Sequence, residues 1–584
     1  MKKPVIPFLI FGFSFIYYFY QACPTFYFWD SAELTAAVPG GGVPHPPGFP
    51  SLLIIAKLWI KIIPLDKAYS LNLLSAFFAS LGLMFWYLVV RDVMQRLFPE
   101  RSKTEPVILS LVSAAAVGLS FSYSIQAVRF EVYSLNFACF ALLLLLTLRL
   151  SFHNKKNNAL YMIIMVFVTA ISLGAHHFTA ALTFPGILLI LYFHKKLKPK
   201  YLFYFAVSTF VLLIPLYLSI YLLSLKNPVL NWGDPSTLRN FLDYFFLREF
   251  STPLSRLAPG HLAYNLTFAV SLISKQIGIL GSLFALWGII KLIRLTPKLA
   301  VPFVVILIPN MFSILYFEEY FYENYDLHGY VLFSIAFLSL FMVAIIGFLS
   351  ERLNGLFRDK ISGKNQIYSL LFMIAMAAII IYMPLKRNIF SANLSRTATA
   401  GQFADLLLND APKNSVIVTS YYNTYFCLLA HQALNPSADP KTITNVYNWE
   451  HQWGRNQTAA LLDFDPDEAS TRPDFYRTLL NRIKDYRSIY VEYDNASAPL
   501  INFLKPSGLG YRFSISDTTL NDTFSPAEEI EYYYEIASKS RDIESIRTWI
   551  LWFTNRGQFY LKRGESDLAN RYFEAAEKIA SRRK

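Results

Sequence analysis

The chain has 584 residues, of which 54% are hydrophobic, 17% aromatic and 16% charged, with a formal net charge of +13. A mean hydropathy of +0.36 is too apolar for an ordinary soluble enzyme of this size, so the composition predicts a membrane protein. The positive charge is spread over short loops beside apolar runs, which argues against nucleic acid as a partner.

Apolar runs of membrane-crossing length recur from the N-terminus to residue 385, and a region of soluble composition follows. We predict an α-helical polytopic membrane protein with about 11 transmembrane helices. The predicted spans are 4–22, 69–90, 106–124, 132–148, 160–175, 179–194, 201–225, 276–290, 299–317, 329–350 and 366–385. No A-x-A cleavage site follows the first run, so we expect an uncleaved helix rather than a signal peptide.

Two stretches need a separate interpretation. The uncharged stretch around "GAHHFT" is too long for one span, and we divide it at this motif. The segment "PSLLIIAKLWIKIIP", residues 50–64, is too short and too rich in Lys to cross a bilayer. Its apolar residues recur at helical spacing, which predicts a helix lying flat at the outer interface.

The distribution of Lys and Arg indicates the orientation of the chain. The inter-span segments on one side hold roughly 20 of these residues and the longer segments on the other side roughly 9. We therefore predict a multi-pass protein of the cell (inner) membrane with a cytoplasmic N-terminus. The same orientation makes the C-terminal region periplasmic or otherwise extracytoplasmic.

Three domains are predicted: residues 1–386 form the transmembrane domain, 387–524 a soluble α/β domain on the outer face, and 525–584 a helical segment. Within 400–434 the pattern is helix, loop, strand and helix, and "RSIYVEYD" is typical of a further strand. The last segment matches the small and large positions of one tetratricopeptide-type helix pair, at Phe553, Gly557, Tyr560, Ala569, Phe573 and Ala576.

The stretch "FWDSAELTAAVPGGGVPHPPGFP", residues 28–50, concentrates polar residues just after the first span. Asp30 and Glu33 would share one helix face, and a carboxylate there could act as a general base towards a hydroxyl group. The alternative is a helix N-cap followed by a solvated acid. The prolines stiffen the turn that displays His45, which indicates a functional side chain, although a purely structural turn is the alternative.

Two further motifs supply cationic candidates. "RFEVYSLN" places Arg129 and Glu131 at the start of a span, where Arg129 could bind an anionic phosphate and Glu131 could orient it. A structural ion pair is the alternative. His176 and His177 lie between two apolar runs, and we expect at least one of them in the same site rather than in the packing.

The remaining candidates come from two outer loops. Trp232 could stack on a sugar face and Asp234 forms an Asp-Pro turn, while Asn324 and Asp326 lie in a loop rich in ionisable residues. Trp and Tyr are also ordinary residues of the membrane interface. Because all of these polar residues fall on the outer side, we predict that their loops converge on one outward-facing pocket.

Several classes of site are absent from the sequence. The three cysteines form no C-x-x-C pair, and no P-loop, dinucleotide fingerprint or H-E-x-x-H motif is present. We therefore predict no cofactor and no metal.

Six segments, "DSAEL", "HPPGFP", "FEVYSLN", "GAHHFT", "NWGDPST" and "NYDLHGY", together resemble the bacterial family related to the animal transmembrane O-mannosyltransferase of the endoplasmic reticulum. The resemblance covers residues 1–390 and implies a glycosyltransferase of GT-C fold. It implies inverting transfer of a sugar, mannose by preference, from a polyprenyl-phosphate donor to a hydroxyl acceptor, with Asp30 as the base. Fold-related protein O-mannosyltransferases carry an adjacent Asp-Glu pair, whereas here Ser31 follows Asp30 and Glu33 comes later.

The expected partners are membrane lipid, the polyprenyl-phosphate sugar, and a protein or glycan acceptor that the C-terminal region recruits. Protein Ser/Thr is the preferred acceptor, and a lipid or polysaccharide acceptor is the alternative. A transporter or flippase of polyprenyl-linked sugars is the rival from another class, but the polar residues gather at one face rather than at mid-membrane depth. A scaffold with an active tail would make Asp30 dispensable.

Overall fold

The computed structural model describes residues 5–100, 104–152, 158–196, 198–250, 259–313, 324–357, 365–436, 440–462, 474–476, 488–494, 497–513 and 524–582. Its N-terminal part is a bundle of apolar helices. These are α1 (Val5–Phe19), α2 (Asp30–Gly40), α3 (Pro50–Ile62), α4 (Lys67–Leu97), α5 (Thr104–Gly118), α6 (Phe121–Ala127), α7 (Val132–Phe152), α8 (Asn158–Ala181), α9 (Phe184–Phe193), α10 (Pro199–Ser224), α11 (Leu238–Phe245), α12 (Pro259–Leu295), α13 (Pro297–Phe312), α14 (Leu332–Phe357) and α15 (Asn365–Ser391). A short 3-10 helix, Asp326–Val331, leads into α14.

Each predicted span coincides with an apolar helix, and residue 4 and residues 314–317 of the prediction lie outside the described residues. Within the described residues, six helices are long and apolar enough to cross a bilayer alone: α4, α7, α8, α10, α12 and α14, whose span begins at Asp326. Four apolar helices are shorter, 10–17 residues: α1, α9, α13 and the Tyr368–Tyr382 part of α15. The fold is thus that of a helical polytopic membrane protein.

Two predicted spans differ from the structure in shape. The span 106–124 is not one straight helix, because α5 and α6 meet at 69°. Ser120 starts α6 by accepting a hydrogen bond from the Tyr123 N–H, and this cap replaces continuation of α5. The break at "GAHHFT" is confirmed as a distortion, since His176 has non-helical dihedral angles inside α8. The helix nevertheless continues to Ala181, so the separation from α9 comes later than predicted.

The predicted flat segment forms α3, which starts with Pro50 at its first turn. Leu52, Leu53 and Ala56 are buried, while Ile54 and Leu58 on the opposite side are exposed. This two-sided pattern fits a helix with one face on the protein and one face towards lipid.

The C-terminal region contains a five-stranded sheet in the order β2-β1-β3-β5-β4. The strands are β1 (Val416–Thr419), β2 (Thr442–Asn445), β3 (Ile489–Val491), β4 (Leu504–Ser507) and β5 (Gly510–Phe513), and the helices around it are α16 (Thr399–Asp410), α17 (Tyr422–Leu434) and α18 (Gln452–Leu462). The first three strands are parallel, and β5 pairs antiparallel with β3 and β4. The strands predicted in "SVIVTS" and "RSIYVEYD" are β1 and β3.

Three helices complete the tail: α19 (Pro526–Ser538), α20 (Ile543–Lys562) and α21 (Ser566–Ser581). The ring of Phe573 on α21 lies against Gly557 of α20, where any larger residue would collide with it. The pair packs on the sheet, because the Trp552 indole donates to the Leu509 carbonyl at 2.8 Å and buried Arg556 donates to the Gly510 carbonyl at 3.3 Å. The predicted domain boundaries at 386/387 and 524/525 stay predictions.

Candidate active site

The short helix α2 brings Asp30 and Glu33 to one place. Its first turn forms because the Trp29 carbonyl accepts hydrogen bonds from the Ala32 and Glu33 N–H groups, at 3.0 and 3.1 Å. Asp30 is the first helical residue and its side chain is 28% exposed. Glu33 is fully buried, so it is not the solvated acid of the alternative interpretation. One acid therefore faces the outside while the other is enclosed by protein.

Glu33 holds His45 with both carboxylate oxygens. The His45 backbone N–H donates to Oε1 at 2.7 Å, and the Nδ1 atom forms a short hydrogen bond with Oε2. The other ring nitrogen, Nε2, then lies 3.8 Å from Oδ2 of Asp30. Because its backbone and Nδ1 are both fixed, His45 has one defined ring orientation, with Nε2 towards Asp30.

The charges of this group perturb one another strongly. Burial disfavours a charge on His45, but the Glu33 and Asp30 carboxylates outweigh it and raise the pKa of His45 to about 10. Desolvation, followed by repulsion from Asp326, raises the pKa of Asp30 to about 7, although His45 lowers it. Asp30 is therefore poised to gain or lose a proton near neutral pH while His45 stays protonated.

A second acidic group, the carboxylate cluster, contains Asp30, Glu131 and Asp326. One oxygen of each lies within 4.8 Å of the others. Arg129 is fully buried beside it, and its NH1 atom donates to Glu131 at 3.0 Å and to Asp326 at 2.5 Å. The predicted direct contact of Arg129 with a phosphate does not fit this geometry, because its charge is already shared by two carboxylates and no face reaches solvent.

Asp30 also belongs to a second set of suitable metal ligands, with Glu33 and His45, again within 4.8 Å. Either set has the oxygen and nitrogen ligands that divalent cations accept. The two cations Arg129 and His45 face four carboxyl groups here, so with all four ionised the site carries two surplus negative charges. A proton on Asp30 would remove one of them, and a divalent cation would balance both. The predicted independence of metal stays a prediction.

The two adjacent histidines point to different surroundings. His176 is buried, its Nδ1 lies 3.1 Å from the Thr179 hydroxyl, and its ring is 6.0 Å from Phe49. Phe49 in turn contacts the His45 ring at 4.9 Å. The His177 ring stacks on Phe245 at 5.2 Å. His176 therefore lies one aromatic ring away from the Asp30 group, and His177 lies on another side of α8.

The outer-loop residues take supporting positions. The Trp232 N–H donates to the Val43 carbonyl at 3.0 Å, which joins the loop of Trp232 to that of His45. Trp232 is only 7% exposed and its ring lies 5.2 and 5.4 Å from the rings of Tyr422 and Trp453, so little of its surface is open to a sugar. Asp234 accepts from the Asn231 amide within its turn at 3.1 Å.

Asn324 acts on the cluster indirectly, because its side-chain oxygen accepts a hydrogen bond from the Asp326 N–H at 3.2 Å. Several partners of the site were not predicted from the sequence. Gln126 accepts from Arg129 at 3.1 Å, and the Ser75 hydroxyl accepts from the Glu131 N–H at 3.0 Å. The spacing of Gln126, three residues before Arg129 in the adjoining helix, is a signal that could have indicated its role; Ser75 has none.

Part of the chain is similar to a known protein family. Residues 30–200 match the model of the Protein O-mannosyl-transferase TMEM260 N-terminal domain. The chain is 32% identical over 232 residues to Protein O-mannosyl-transferase TMEM260 of Mus musculus, covering 38% of this chain and 31% of the mouse protein. It is 25% identical over 292 residues to the Dictyostelium discoideum protein of the same name, covering 45% and 33%. The chain thus spans about a third of the length of the curated relatives it matches.

Among solved structures, ArnT from Cupriavidus metallidurans bound to undecaprenyl phosphate matches with a TM-score of 0.55 at 11% identity, covering 85% of this chain and 95% of ArnT. ArnT in the apo state matches with the same score. At this identity the likeness concerns the fold. The chain is therefore related to the TMEM260 proteins and has a GT-C-type fold, as the sequence resemblance predicts.

Proposed function

We propose that this relative of the TMEM260 proteins is a membrane glycosyltransferase that moves mannose from a polyprenyl-phosphate donor to a Ser or Thr hydroxyl of a protein on the extracytoplasmic face. The name of both curated relatives supports O-mannosyl transfer, and undecaprenyl phosphate is bound in ArnT, which has the same fold. The observation that carries the proposal is Asp30, a partly exposed carboxylate whose pKa is raised to about 7.

Asp30 is the proposed general base. The acceptor oxygen attacks the anomeric carbon as its proton passes to Asp30, and the bond from that carbon to the donor phosphate breaks. Polyprenyl phosphate leaves with one further negative charge, which the proton on Asp30 balances. A base with a pKa near the working pH is efficient, because it is largely ionised and still accepts a proton readily.

Glu33 and His45 are proposed to control the charge around this base. Glu33 fixes the His45 ring, so a protonated Nε2–H points towards Asp30 and towards an incoming phosphate. This places the positive charge of His45 where the leaving group becomes more negative. His176, next to Phe49 and Tyr133, is the second candidate for the phosphate, and His177 is the third.

Arg129 is proposed to hold the carboxylate cluster together. Its two ion pairs keep Glu131 and Asp326 beside Asp30, and repulsion from Asp326 contributes to the raised pKa of Asp30. In this account Arg129 affects the reaction by setting the proton affinity of the base. The proposed role of Arg129 is thus indirect and does not include a contact with the donor phosphate.

The lipid part of the donor has a candidate location between α7, α8, α9 and α10. A cavity of about 870 Å³ lies there, lined mainly by apolar side chains that include Met165, Leu173 and Phe205. Leu173 comes less than one helical turn before His176, so the cavity starts near a proposed phosphate ligand. We propose that the first isoprene units of the donor occupy it.

Transfer of radiolabelled mannose from polyprenyl-phosphate mannose by purified protein tests the proposal, with a Ser/Thr-rich peptide and total membrane glycolipid as alternative acceptors. Labelled peptide with alkali-labile mannose supports the proposal. Label only in glycolipid would change the acceptor to lipid. Absence of transfer to either, together with movement of the donor across proteoliposome membranes, would favour the transporter.

A further inference from the structure

The segment that precedes Asp30 is held by the C-terminal tail. The Trp29 backbone N–H donates to Oδ1 of Asn423, the second residue of α17, at 3.0 Å. The Trp29 indole N–H donates to Oε2 of Glu544, in the first turn of α20, at 2.8 Å. The backbone N–H and the indole N–H of Trp29 are therefore both held by helices that lie about 400 and 500 residues later in the chain.

Trp29 has a backbone conformation that a non-glycine residue rarely adopts. Its φ is 59° and its ψ is −135°, outside the regions that L-residues favour, so neighbouring contacts must stabilise it. The same residue provides the carbonyl that starts α2, through the N–H groups of Ala32 and Glu33. The conformation of Trp29 therefore determines how the first turn of α2, with Asp30 and Glu33, is oriented.

A second contact links the tail to the carboxylate cluster. The buried Tyr27 hydroxyl donates to Oδ1 of Asp542 at 2.8 Å, and Asp542 is the N-cap of α20. The other side of Tyr27 faces the site, because its ring stacks on Tyr325 and lies 5.9 Å from the Arg129 guanidinium. One helix terminus of the tail thus contacts Tyr27 and Trp29 just before Asp30, and the Tyr27 ring in turn reaches Arg129 beside the carboxylate cluster.

We infer that the C-terminal tail positions the base: Asn423, Asp542 and Glu544 are positioning residues that hold Trp29 and Tyr27, and through them set the placement of Asp30 and the carboxylate cluster. This inference rests on the proposed function for its effect on catalysis. The tail is then part of the active enzyme, in addition to any role in recruiting acceptor.

A double-mutant cycle on the Trp29 to Glu544 hydrogen bond tests the inference. Trp29→Phe removes the indole donor and keeps an aromatic ring, and Glu544→Ala removes the acceptor. We expect each variant to lower kcat by roughly ten- to a hundred-fold, the cost of a misplaced reacting group, with the donor KM within about two-fold. Glu544→Ala also removes the ion pair of Glu544 with Arg547 at 3.1 Å. The double variant should therefore lower kcat no further than Glu544→Ala alone, because Trp29→Phe removes a hydrogen bond that this variant has already lost.

The pH profile separates positioning from a structural role. If the tail sets the surroundings of Asp30, the midpoint of the kcat profile should move in Trp29→Phe and in Glu544→Ala. Glu535→Gln is the matched control, since Glu535 is an exposed acid on α19 that pairs only with Lys539 among the described contacts. It should leave kcat and its pH midpoint as in the wild type.

Hydrogen exchange provides a readout that does not depend on activity. In the detergent-solubilised chain, peptides covering 30–36 should exchange faster in Trp29→Phe than in the wild type. The backbone carbonyl of residue 29, which accepts from the Ala32 and Glu33 amides, is held less firmly once the indole hydrogen bond to Glu544 is lost. Unchanged exchange, kcat and pH midpoint in folded Trp29→Phe and Glu544→Ala would overturn the inference. If the wild type transfers no sugar, the proposed function fails, and the exchange result alone decides whether the tail holds this segment.

Discussion

Replacing Asp30 by Asn should abolish transfer and at the same time stabilise the protein. The pKa of Asp30 rises from 3.8 to about 7 in the folded chain, because desolvation and the charge of Asp326 disfavour its ionised form. An unfolded chain ionises Asp30 freely. At neutral pH, folding therefore transfers an ionised carboxylate into a site that solvates it poorly, which lowers the free energy of unfolding; the neutral amide of Asn avoids this cost.

The magnitude follows from the pKa difference. The pKa rises by about three units, and at about 1.4 kcal/mol per unit this corresponds to about 4 kcal/mol in the free energy of unfolding before any correction for solvent. The side chain is 28% exposed, so solvent screens part of the charge and we expect a gain on the order of 1–4 kcal/mol. For a chain of this size that corresponds to a rise of a few °C in apparent Tm.

The sign depends on pH in a defined way. For an acid with a raised pKa in the folded state, the destabilisation starts as pH rises above its unfolded value of 3.8 and is complete above about 7. The difference in Tm between Asp30→Asn and wild type should therefore be larger at about pH 8 than at about pH 5. Thermal melts of detergent-solubilised protein measure it. Equal differences at both pH values, or a less stable variant at pH 8, would refute the reasoning.

Other predictions concern pH, metal, lipid and the buried ion pairs. The wild-type kcat should rise with pH with a midpoint near pH 7, since the base form of Asp30 is needed; a profile without such a rise would contradict this. Transfer should persist in chelator, and loss of activity restored by Mg²⁺ or Mn²⁺ would instead indicate a cation on Asp30, Glu131 and Asp326. Ala206→Trp, which narrows the cavity along α10, should raise the KM for a long polyprenyl donor several-fold and leave the acceptor KM unchanged; a KM for the long donor equal to that of the wild type would contradict the proposed location. Arg129→Gln leaves two buried carboxylates unpaired and should destabilise by about 3–5 kcal/mol, and a Tm equal to that of wild type would contradict this.

The sequence predicts the helices well because apolar composition is a local property. Each predicted span contains an apolar helix, and Asp30 and Glu33 fall in the first turn of α2, as predicted, although the residue before the helix, Trp29, gives no side-chain cap. The bend between α5 and α6 could not be predicted from hydropathy, because it depends on one capping hydroxyl, that of Ser120. Hydropathy averages over such single residues.

The candidate site shows the same limit at longer range. Asp30, Glu33 and His45 lie within 15 residues of each other, so a motif can indicate that they act together. Arg129, in contrast, is paired with Asp326, which lies 197 residues later in the chain. No local sequence pattern shows that a carboxylate will neutralise this guanidinium and keep it from binding a phosphate. The contact of Glu544 with Trp29 spans 515 residues. This contact arises from packing of the tail on the segment that precedes α2.

The central claim, that Asp30 is the base of a sugar transferase, is tested most directly by comparing two isosteric acid-to-amide variants. Asp30→Asn and Asp243→Asn are assayed beside wild type for mannose transfer from polyprenyl-phosphate mannose to whichever acceptor the wild type uses. Asp243 pairs with exposed Arg248 on the outer loop and serves as the control. We expect loss of transfer in Asp30→Asn alone, with both variants folded; transfer by Asp30→Asn at the wild-type rate would exclude Asp30 as the base.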